Sequence, residues 1–243
     1  MRIPRFFCPD LSSSMVLLDP SESHHLAHVL RLETGETVEL FDGRGRLAFA
    51  RVSSIHKDKV SLVVNEIRSF PPPARKIVLA VSMPKTNRFD FLVEKCTELG
   101  VDHIIAVAYE RTVKIGKESA MARYEKIAVS AAKQSGRVFL PRLSGPWPLP
   151  KAIEQIHIEY PQSAWIYGEP SCEPSSQKGL KKAEDLFSGK DIVCLIGPEG
   201  GVTEDEKKTL QSMGASSIQI NPNVLRIETA AIAFGAILSF LRG

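Results

Sequence analysis

The sequence predicts an α/β protein in which a small β-barrel domain precedes a parallel sheet with helices on both faces. From residue 77 onward, apolar runs alternate with helical patterns, as they do in parallel sheets. Upstream, short strand patterns alternate with turn residues. Pro71-Pro72-Pro73 lies between the two parts as a stiff spacer that neither a helix nor a central strand tolerates. We therefore expect one domain over residues 1–70 and a second over residues 74–243.

The N-terminal domain is predicted to be mostly β. One turn is expected at Asp42-Gly43 and another at Lys57-Asp58, and Ser21 or Ser23 is expected to cap a short helix that runs to Arg31. Short antiparallel strands close most naturally into a small barrel. The predicted strands, each bounded by turn residues, are 37–41, 47–54 and 59–67.

The C-terminal domain is predicted from five apolar runs that alternate with five helical patterns. Residues 168–189 are polar and rich in Pro and Ser, and they indicate a loop with a short helix over 181–187. The predicted strands are residues 77–81, 103–108, 164–167, 191–196 and 217–220. The predicted helices are residues 88–99, 119–134, 149–156, 204–213 and 229–241.

The stretch LIGPEGGVTEDE, residues 195–206, has the order expected of a ligand-binding strand end. An apolar strand ends at Gly197-Pro198, and Gly200-Gly201 permits close approach of the backbone to a ligand. Thr203 and Glu206 form the T-x-x-E pattern of a capping box, which starts a helix. In open α/β sheets, ligands bind at the carboxyl ends of strands, so we expect a pocket at this loop.

The chemistry of this loop argues against a dinucleotide or a triphosphate as its ligand. No G-x-G-x-x-G follows a strand, and no G-x-x-x-x-G-K-[ST] is present. The loop and the start of its helix carry acids where a phosphate-binding loop would favour a Lys. This set of acids favours a neutral or cationic ligand and consists of Glu199, Glu204, Asp205 and Glu206.

A second stretch, NVLRIETAAIAFGAIL at residues 223–238, follows a predicted strand and the turn Asn221-Pro222-Asn223. Thr229 is expected to cap a helix from Ala230 to Leu241 that is almost entirely small or apolar. About twenty residues are needed to cross a bilayer, and this helix is too short. We interpret it as a core or subunit-interface helix.

These two stretches resemble the SPOUT class of RNA methyltransferases, and within it the ribosomal RNA small subunit methyltransferase E family. The resemblance rests on GPEGG after an apolar strand and on the later L-R-x-E-T-A segment. It extends over most of the chain through the blocks Arg2-Ile3-Pro4-Arg5, His25-Leu26, Val29-Leu30-Arg31, Glu94-Lys95-x-Thr97-Glu98-Leu99-Gly100 and Gln134-Ser135-Gly136-Arg137. Two positions depart from the family pattern: Lys133 replaces a usual Glu, and Asn223 replaces a common Arg.

The resemblance implies a fold and an activity. It implies a C-terminal trefoil knot, over about residues 190–243 of this chain, that forms the pocket for S-adenosyl-L-methionine. It further implies methylation of N3 of a specific uridine in small-subunit (16S) ribosomal RNA, a PUA-like RNA-binding module at residues 1–70, and a homodimer formed through the knotted domain. The substrate would be the free RNA or the assembled 30S subunit.

The candidate site residues follow from the two stretches and the resemblance. Glu199 is the candidate carboxylate beside the methyl donor, and Arg226 or Arg137 is the candidate cation beside the uridine N3 anion. Glu228 is expected to pair with an Arg and fix the loop. The cofactor candidates are Gly168, Leu195, Ile196, Gly197, Pro198, Glu199, Gly200, Gly201, Ile220, Val224, Leu225, Arg226, Glu228, Thr229 and Ala230. The RNA candidates are Arg2, Arg5, His25, Arg31, Arg111, Lys133, Gln134, Ser135 and Arg137.

Composition and charge agree with an intracellular RNA-binding enzyme. The net charge of the 243-residue chain is +3, and residues 1–73 hold nine basic and nine acidic residues, so the excess lies downstream. Eight bases against two acids in residues 111–142 form a candidate phosphate-binding stretch. The four cysteines have no C-x-x-C spacing, so neither a metal site nor a disulfide framework is indicated. The N-terminus lacks the apolar segment of a signal peptide, and we expect a cytoplasmic protein.

Two other functions are compatible with these residues. A SPOUT enzyme with the same cofactor pocket could methylate transfer RNA or large-subunit ribosomal RNA. A ribosome assembly factor could bind RNA without catalysis, although the intact GPEGG and L-R-x-E-T-A argue against this alternative.

Overall fold

The computed structural model describes residues 3–57, 59–84, 86–112, 120–170, 185 and 189–243, and the chain divides into two compact units. The first unit consists of Met1–Pro72 and Ala132–Leu140, and the second of Pro73–Ala131 and Pro141–Gly243. Residues 132–140 therefore belong with the N-terminal part of the chain. Part of the predicted loop at 168–189, with its short helix, lies outside the described residues.

Unit 1 contains a sheet of five described strands in the order β1-β3-β4-β5-β2. All neighbours are antiparallel except β1 and β3. Side chains from all five strands and from the adjacent helical turns meet in one apolar core, which includes Phe6, Leu26, Leu40 and Leu62. The strands are β1 (Arg5–Phe7), β2 (Met15–Leu17), β3 (Thr37–Phe41), β4 (Arg46–His56) and β5 (Lys59–Ser69).

The predicted cap of the first helix is wrong. Helix α1 (Pro20–His24) begins after Asp19, whose Oδ1 accepts hydrogen bonds from the backbone N–H groups of Ser21 and Glu22. The Ser23 hydroxyl instead lies in the interior and donates to the Leu18 carbonyl at 3.2 Å. A π-helical turn (His25–Val29) follows the α-helix directly. The helical segment therefore ends at Val29, two residues before the predicted end at Arg31.

Unit 2 contains a sheet of six described strands, all parallel, in the order β11-β9-β10-β6-β7-β8. The strand missed by the sequence analysis, β8, contains two prolines, which an edge strand tolerates because one side of its backbone needs no sheet partner. The strands are β6 (Ile77–Ser82), β7 (His103–Ala108), β8 (Arg142–Pro148), β9 (Ala164–Gly168), β10 (Ile192–Ile196) and β11 (Ser216–Ile218).

Helices cover both faces of this sheet. Alternate residues of a strand point to opposite faces, and accordingly Leu79 belongs to one buried cluster and Ala80 to another. The first cluster also contains Phe89 and Phe234, and the second contains Leu210. The predicted class, a parallel sheet with helices on both faces after a β domain, is confirmed. The helices are α2 (Thr86–Glu98), α3 (Met121–Ser135), α4 (Leu149–Glu159), α5 (Glu204–Ser212) and α6 (Ile227–Arg242).

The start of the last helix also differs from the prediction. Arg226 is the N-cap residue of α6, with extended backbone, and its side chain makes no capping hydrogen bond. Thr229 therefore lies inside the first turn instead of capping it. Isolated propensity favours Thr as a cap, but packing of Ile227 and Glu228 into the interior extends the helix upstream. Within the part of the chain that the structure describes, no helix combines the length and the apolar character that a membrane span requires.

Candidate active site

A pocket of about 250 Å³ lies at the carboxyl ends of β9, β10 and β11 in unit 2. Two loops form its sides: the one between β10 and α5, and the one between β11 and α6. This is the edge at which open α/β sheets bind ligands. Its lining consists of Arg111, Gly168, Glu169, Pro170, Ile196, Gly197, Pro198, Glu199, Gly201, Val202, Glu204, Lys207, Ile218, Gln219, Ile220, Asn221, Asn223, Val224, Leu225, Ile227, Ala230 and Phe234.

The loop after β10 is shaped by close backbone packing. A Cβ on Gly197 would lie 2.5 Å from Val202 Cγ2, so no larger residue fits without displacing a buried valine. Gly201 has a φ of +75° and donates its N–H to the Pro198 carbonyl at 2.8 Å. Both glycines are thus required by the path of the chain beside the pocket.

The predicted capping box at the start of α5 is confirmed. The Thr203 hydroxyl accepts the Glu206 N–H, and the Glu206 carboxylate accepts the Thr203 N–H at 2.9 Å. The other Glu206 oxygen accepts the Glu110 N–H at 2.9 Å. Glu206 therefore joins the pocket loop to the segment that follows β7.

The second side of the pocket is formed by the loop after β11 and by one face of α6. The Asn221 side chain accepts the Asn223 N–H at 2.8 Å, which turns the chain as its composition predicts. Phe234 lies opposite the end of β9, where a Cβ on Gly168 would approach its ring to 3.1 Å. Apolar groups of Ile218 and Leu225 complete a surface suited to a flat aromatic ring.

The pocket contains cations as well as two of the four predicted acids, Glu199 and Glu204; Asp205 and Glu206 do not line it. Lys207 Nζ lies 2.8 Å from Glu169 Oε2 and 3.2 Å from Glu204 Oε1, and the hydrogen bond to Glu169 raises the pKa of Lys207. Arg111 donates from Nη1 to the Gly200 carbonyl at 2.8 Å. Two carboxylates of the pocket therefore compensate the charge of Lys207. A phosphate-binding loop would instead present its Lys unpaired to the ligand.

The structure brings ten of the fifteen cofactor candidates into the lining of the pocket and leaves five outside it. Leu195 is buried in the sheet one residue before the pocket, and Gly200 packs against the Arg111 side chain. The ten lining residues are Gly168, Ile196, Gly197, Pro198, Glu199, Gly201, Ile220, Val224, Leu225 and Ala230. The five that do not line it are Leu195, Gly200, Arg226, Glu228 and Thr229.

The two catalytic candidates have different positions. Glu199 lines the pocket, whereas Arg226 is exposed at the N-terminus of α6 and does not. Glu228 is buried in the first turn of α6, and its partner is Arg88 of α2, with Nε 3.6 Å from Glu228 Oε1. Arg88 also approaches Glu199, with Nη1 3.7 Å from Oε1. Arg88 is not predictable from the sequence, because it is one polar residue of an ordinary amphipathic helix and nothing in its spacing points to the pocket.

Two RNA candidates of unit 1 have their charge compensated by buried or half-buried acids. Arg5 Nε donates to Glu39 at 2.8 Å. Lys133 Nζ contacts both oxygens of Glu22, at 2.8 and 2.7 Å. Lys133 stands at one of the two departures from the family pattern, and Glu22 explains how its charge is accommodated.

The remaining RNA candidates occupy more open positions. Burial and the neighbouring Lys133 charge lower the pKa of His25, which packs edge-on against Phe6. Arg31 is exposed and has a φ of +54°, and Arg111 is exposed beside the pocket. Arg2 lies outside the described residues. Gln134 and Ser135 form the end of α3, and Arg137 follows it.

The described residues offer no side-chain cluster suited to a metal ion, and the three cysteines among them form no disulfide. No group of three or more His, Cys, Asp or Glu side chains is placed there to hold an ion. The rings of His24 and His28 lie with their centroids 4.9 Å apart and are tilted by 42° to each other. Cys8, Cys96 and Cys194 are free and buried, and Cys172 lies outside the described residues.

Two family models match the chain. Residues 71–239 match the RNA methyltransferase domain, and residues 18–65 match the RNA methyltransferase PUA domain. The first match alone covers well over half of the chain.

Several curated proteins similar to this chain are named Ribosomal RNA small subunit methyltransferase E. The Mycobacterium bovis protein is 28% identical over 236 residues, which cover 94% of this chain and 87% of the relative. The Bacillus subtilis protein is 29% identical over 219 residues, covering 87% and 84%.

Solved structures similar to this chain point to the same family. A Ribosomal RNA small subunit methyltransferase E from Neisseria gonorrhoeae, bound to S-adenosyl methionine, has a TM-score of 0.82 at 28% identity and covers 99% of this chain and 98% of that one. A Legionella pneumophila protein solved in complex with the bound cofactor SAM has a TM-score of 0.81 at 28% identity, covering 98% of this chain and 97% of that one. The chain thus belongs to the RNA methyltransferase family, and its resemblance to ribosomal RNA small subunit methyltransferase E is confirmed.

Proposed function

We propose that this protein transfers the methyl group of S-adenosyl-L-methionine to N3 of a specific uridine in small-subunit (16S) ribosomal RNA. The observation that carries the proposal is the pocket between the GPEGG loop and the start of α6. It lies within a chain that belongs to the RNA methyltransferase family and resembles proteins crystallised with this cofactor.

The residues of the pocket fit the cofactor. The tight backbone at Gly197 and the apolar surface of Ile218, Leu225 and Phe234 suit an adenine held by backbone groups. Glu199 supplies a carboxylate for a cationic sulfonium. When bound, the cofactor supplies an electrophilic methyl group, so the protein mainly has to align the two reactants and exclude water.

The uridine N3 proton has to leave during the reaction. A nearby cation favours the deprotonated base for the same reason that it lowers the pKa of any acid. Arg226 is exposed at the start of α6, where it is accessible to a polynucleotide, and Arg137 is the second candidate. The Arg226 guanidinium would donate a hydrogen bond to a uracil oxygen beside N3.

The two predicted domains have separate roles in this proposal. The module at residues 1–70 binds RNA, with support from the PUA match at residues 18–65. The domain at residues 74–243 binds the cofactor and carries the knot. Arg5, His25, Arg31, Arg111 and the segment 133–137 contact ribosomal RNA, either free or in the 30S subunit. We further propose a cytoplasmic homodimer formed through the C-terminal domain, where Phe240 of α6 is 84% exposed.

Two measurements test the function. Titration calorimetry should show S-adenosylmethionine binding to the purified protein, and absence of both heat and thermal shift at millimolar cofactor would contradict any methyltransferase role. Mass-spectrometric mapping of small-subunit RNA from cells lacking the gene should show the loss of one N3-methyluridine. If that residue stays methylated while transfer RNA or large-subunit RNA loses a methyl group, the substrate assignment is wrong and the enzyme class is right.

A further inference from the structure

We propose that Arg88 is a positioning residue of the active site, which holds the pocket carboxylate Glu199 by means of the buried carboxylate Glu228. This inference rests on the proposed function and extends it to a residue of α2. The three side chains come from three elements: α2, the loop after β10 and the first turn of α6.

The geometry places one guanidinium between two carboxylates. Arg88 Nη1 lies 3.7 Å from Glu199 Oε1, and Arg88 Nε lies 3.6 Å from Glu228 Oε1. Different nitrogens of the guanidinium approach the two acids. Lys cannot reproduce this arrangement, because its ammonium is a single point charge, whereas the planar guanidinium presents donors in two directions.

Burial separates the roles of the two acids. The Glu228 side chain is only 10% exposed, and its Oε2 is buried with no hydrogen-bond partner in the described residues. A buried carboxylate without a nearby cation is strongly unfavourable, so Glu228 fixes Arg88 in place. The Glu199 side chain is 55% exposed and lines the pocket, so it can respond to a ligand.

The arrangement has a consequence for catalysis. Both distances exceed those of hydrogen bonds, so Arg88 restrains Glu199 through charge and leaves room for it to adjust. With Arg88 in place, Glu199 stays at the pocket side facing α2 and α6. Without Arg88, Glu199 moves freely in solvent, and the alignment of methyl donor and nucleophile suffers. A misplacement of about 1 Å can cost about a hundredfold in rate.

The test compares variants in a single-turnover methyl-transfer assay with saturating cofactor and small-subunit RNA. We expect Arg88→Ala to lower the rate at least tenfold and to change the cofactor dissociation constant less than threefold. Arg88→Lys should recover only part of the rate, and added methylguanidinium should accelerate Arg88→Ala but not the wild type. The matched control is Lys95→Gln on the same helix, which removes a partly exposed charge paired with Glu94 and Glu98 and should leave the rate unchanged.

A double variant separates positioning from stability. Arg88→Ala leaves Glu228 unpaired and lowers the unfolding temperature, whereas Arg88→Ala with Glu228→Gln removes the buried charge and should recover that temperature without recovering the rate. The inference is overturned if the double variant regains the wild-type rate, since Arg88 would then only neutralise Glu228. It is also overturned if folded Arg88→Ala has the wild-type rate. A wild-type protein that neither binds cofactor nor methylates RNA would instead contradict the proposed function itself.

Discussion

His103, at the start of β7, shows how tertiary burial changes the chemistry of one side chain. It is 1% exposed, and its ring nitrogens lie 3.0 Å from the Tyr160 hydroxyl and 2.9 Å from the Ser144 hydroxyl. Burial, helped by the charge of Arg142, lowers the pKa of His103 to about 3 from an ordinary value near 6.5. The imidazole is therefore neutral in the folded protein at every physiological pH.

This shift predicts a pH dependence of stability. Below pH 6.5 the unfolded chain binds a proton at His103 and the folded protein does not. Protonation of His103 therefore leaves the free energy of unfolding unchanged above pH 6.5 and lowers it as the pH falls from 6.5 toward 3. The loss amounts to about 1.4 kcal/mol per pH unit within that window. Urea denaturation at pH 7.5 and pH 5 should show His103→Gln to be less pH-sensitive than the wild type. An equal change in the free energy of unfolding between pH 7.5 and pH 5 for the two proteins would contradict the prediction.

At the scale of elements, the capping box of Thr203 and Glu206 determines where α5 begins. The helix carries three acids in its first turn, Glu204, Asp205 and Glu206, which the positive end of the helix dipole favours. The same turn supplies Glu204 to the pocket and connects Glu206 to the backbone after β7. The cap therefore sets the geometry of one side of the pocket as well as the stability of the helix.

Removing the cap should affect both properties. Thr203→Ala is expected to lower the unfolding free energy by about 1 kcal/mol and to weaken cofactor binding, because the pocket loop loses a fixed end. Thr209→Ala is the matched control: the hydroxyl of this exposed residue of the same helix donates to the Asp205 carbonyl one turn earlier. Chemical denaturation and calorimetry measure the two effects. A larger loss for Thr209→Ala would show that the cap is not the source of the stability.

For the whole molecule, ion pairs reduce the basic character that the sequence suggests. Several of the bases in residues 111–142 are paired with acids: Arg123 with Asp90, Lys133 with Glu22, and Arg142 with Glu159. Lys126 is exposed on α3, while Lys114 and Lys117 lie outside the described residues. The charge available to RNA is thus smaller than the local excess implied by the sequence.

The salt dependence of RNA binding can test this distribution. Removal of one phosphate contact should make the slope of log K against log salt shallower by about 0.7 for a single strand. Lys126→Gln should show such a change, and Arg142→Gln, whose charge is already paired with Glu159, should show little. Filter binding or fluorescence anisotropy between low and physiological salt gives the slope. Equal slopes for Lys126→Gln and the wild type would remove Lys126 from the interface.

The sequence alone determined the features that depend on local pattern. Continuous apolar runs identified β6, β7, β9 and β10 to within a residue or so, since strands covered on both faces are predominantly apolar. The GPEGG turn and the capping box located one side of the pocket for the same local reasons. The strands β1 and β2 escaped prediction because three residues are too few to show alternation.

Only the tertiary structure decided which distant residues meet. In the folded protein Asp19, and not Ser21 or Ser23, caps the first helix. Lys133 pairs with Glu22, and Arg88 lies between Glu199 and Glu228. Ion pairs and burial depend on distances between elements that are far apart in the chain, and residue spacing carries no record of those distances. The local sequence pattern therefore identifies the fold class and the pocket loops, whereas the charged partners of Glu199 and Glu228 follow from how the elements pack.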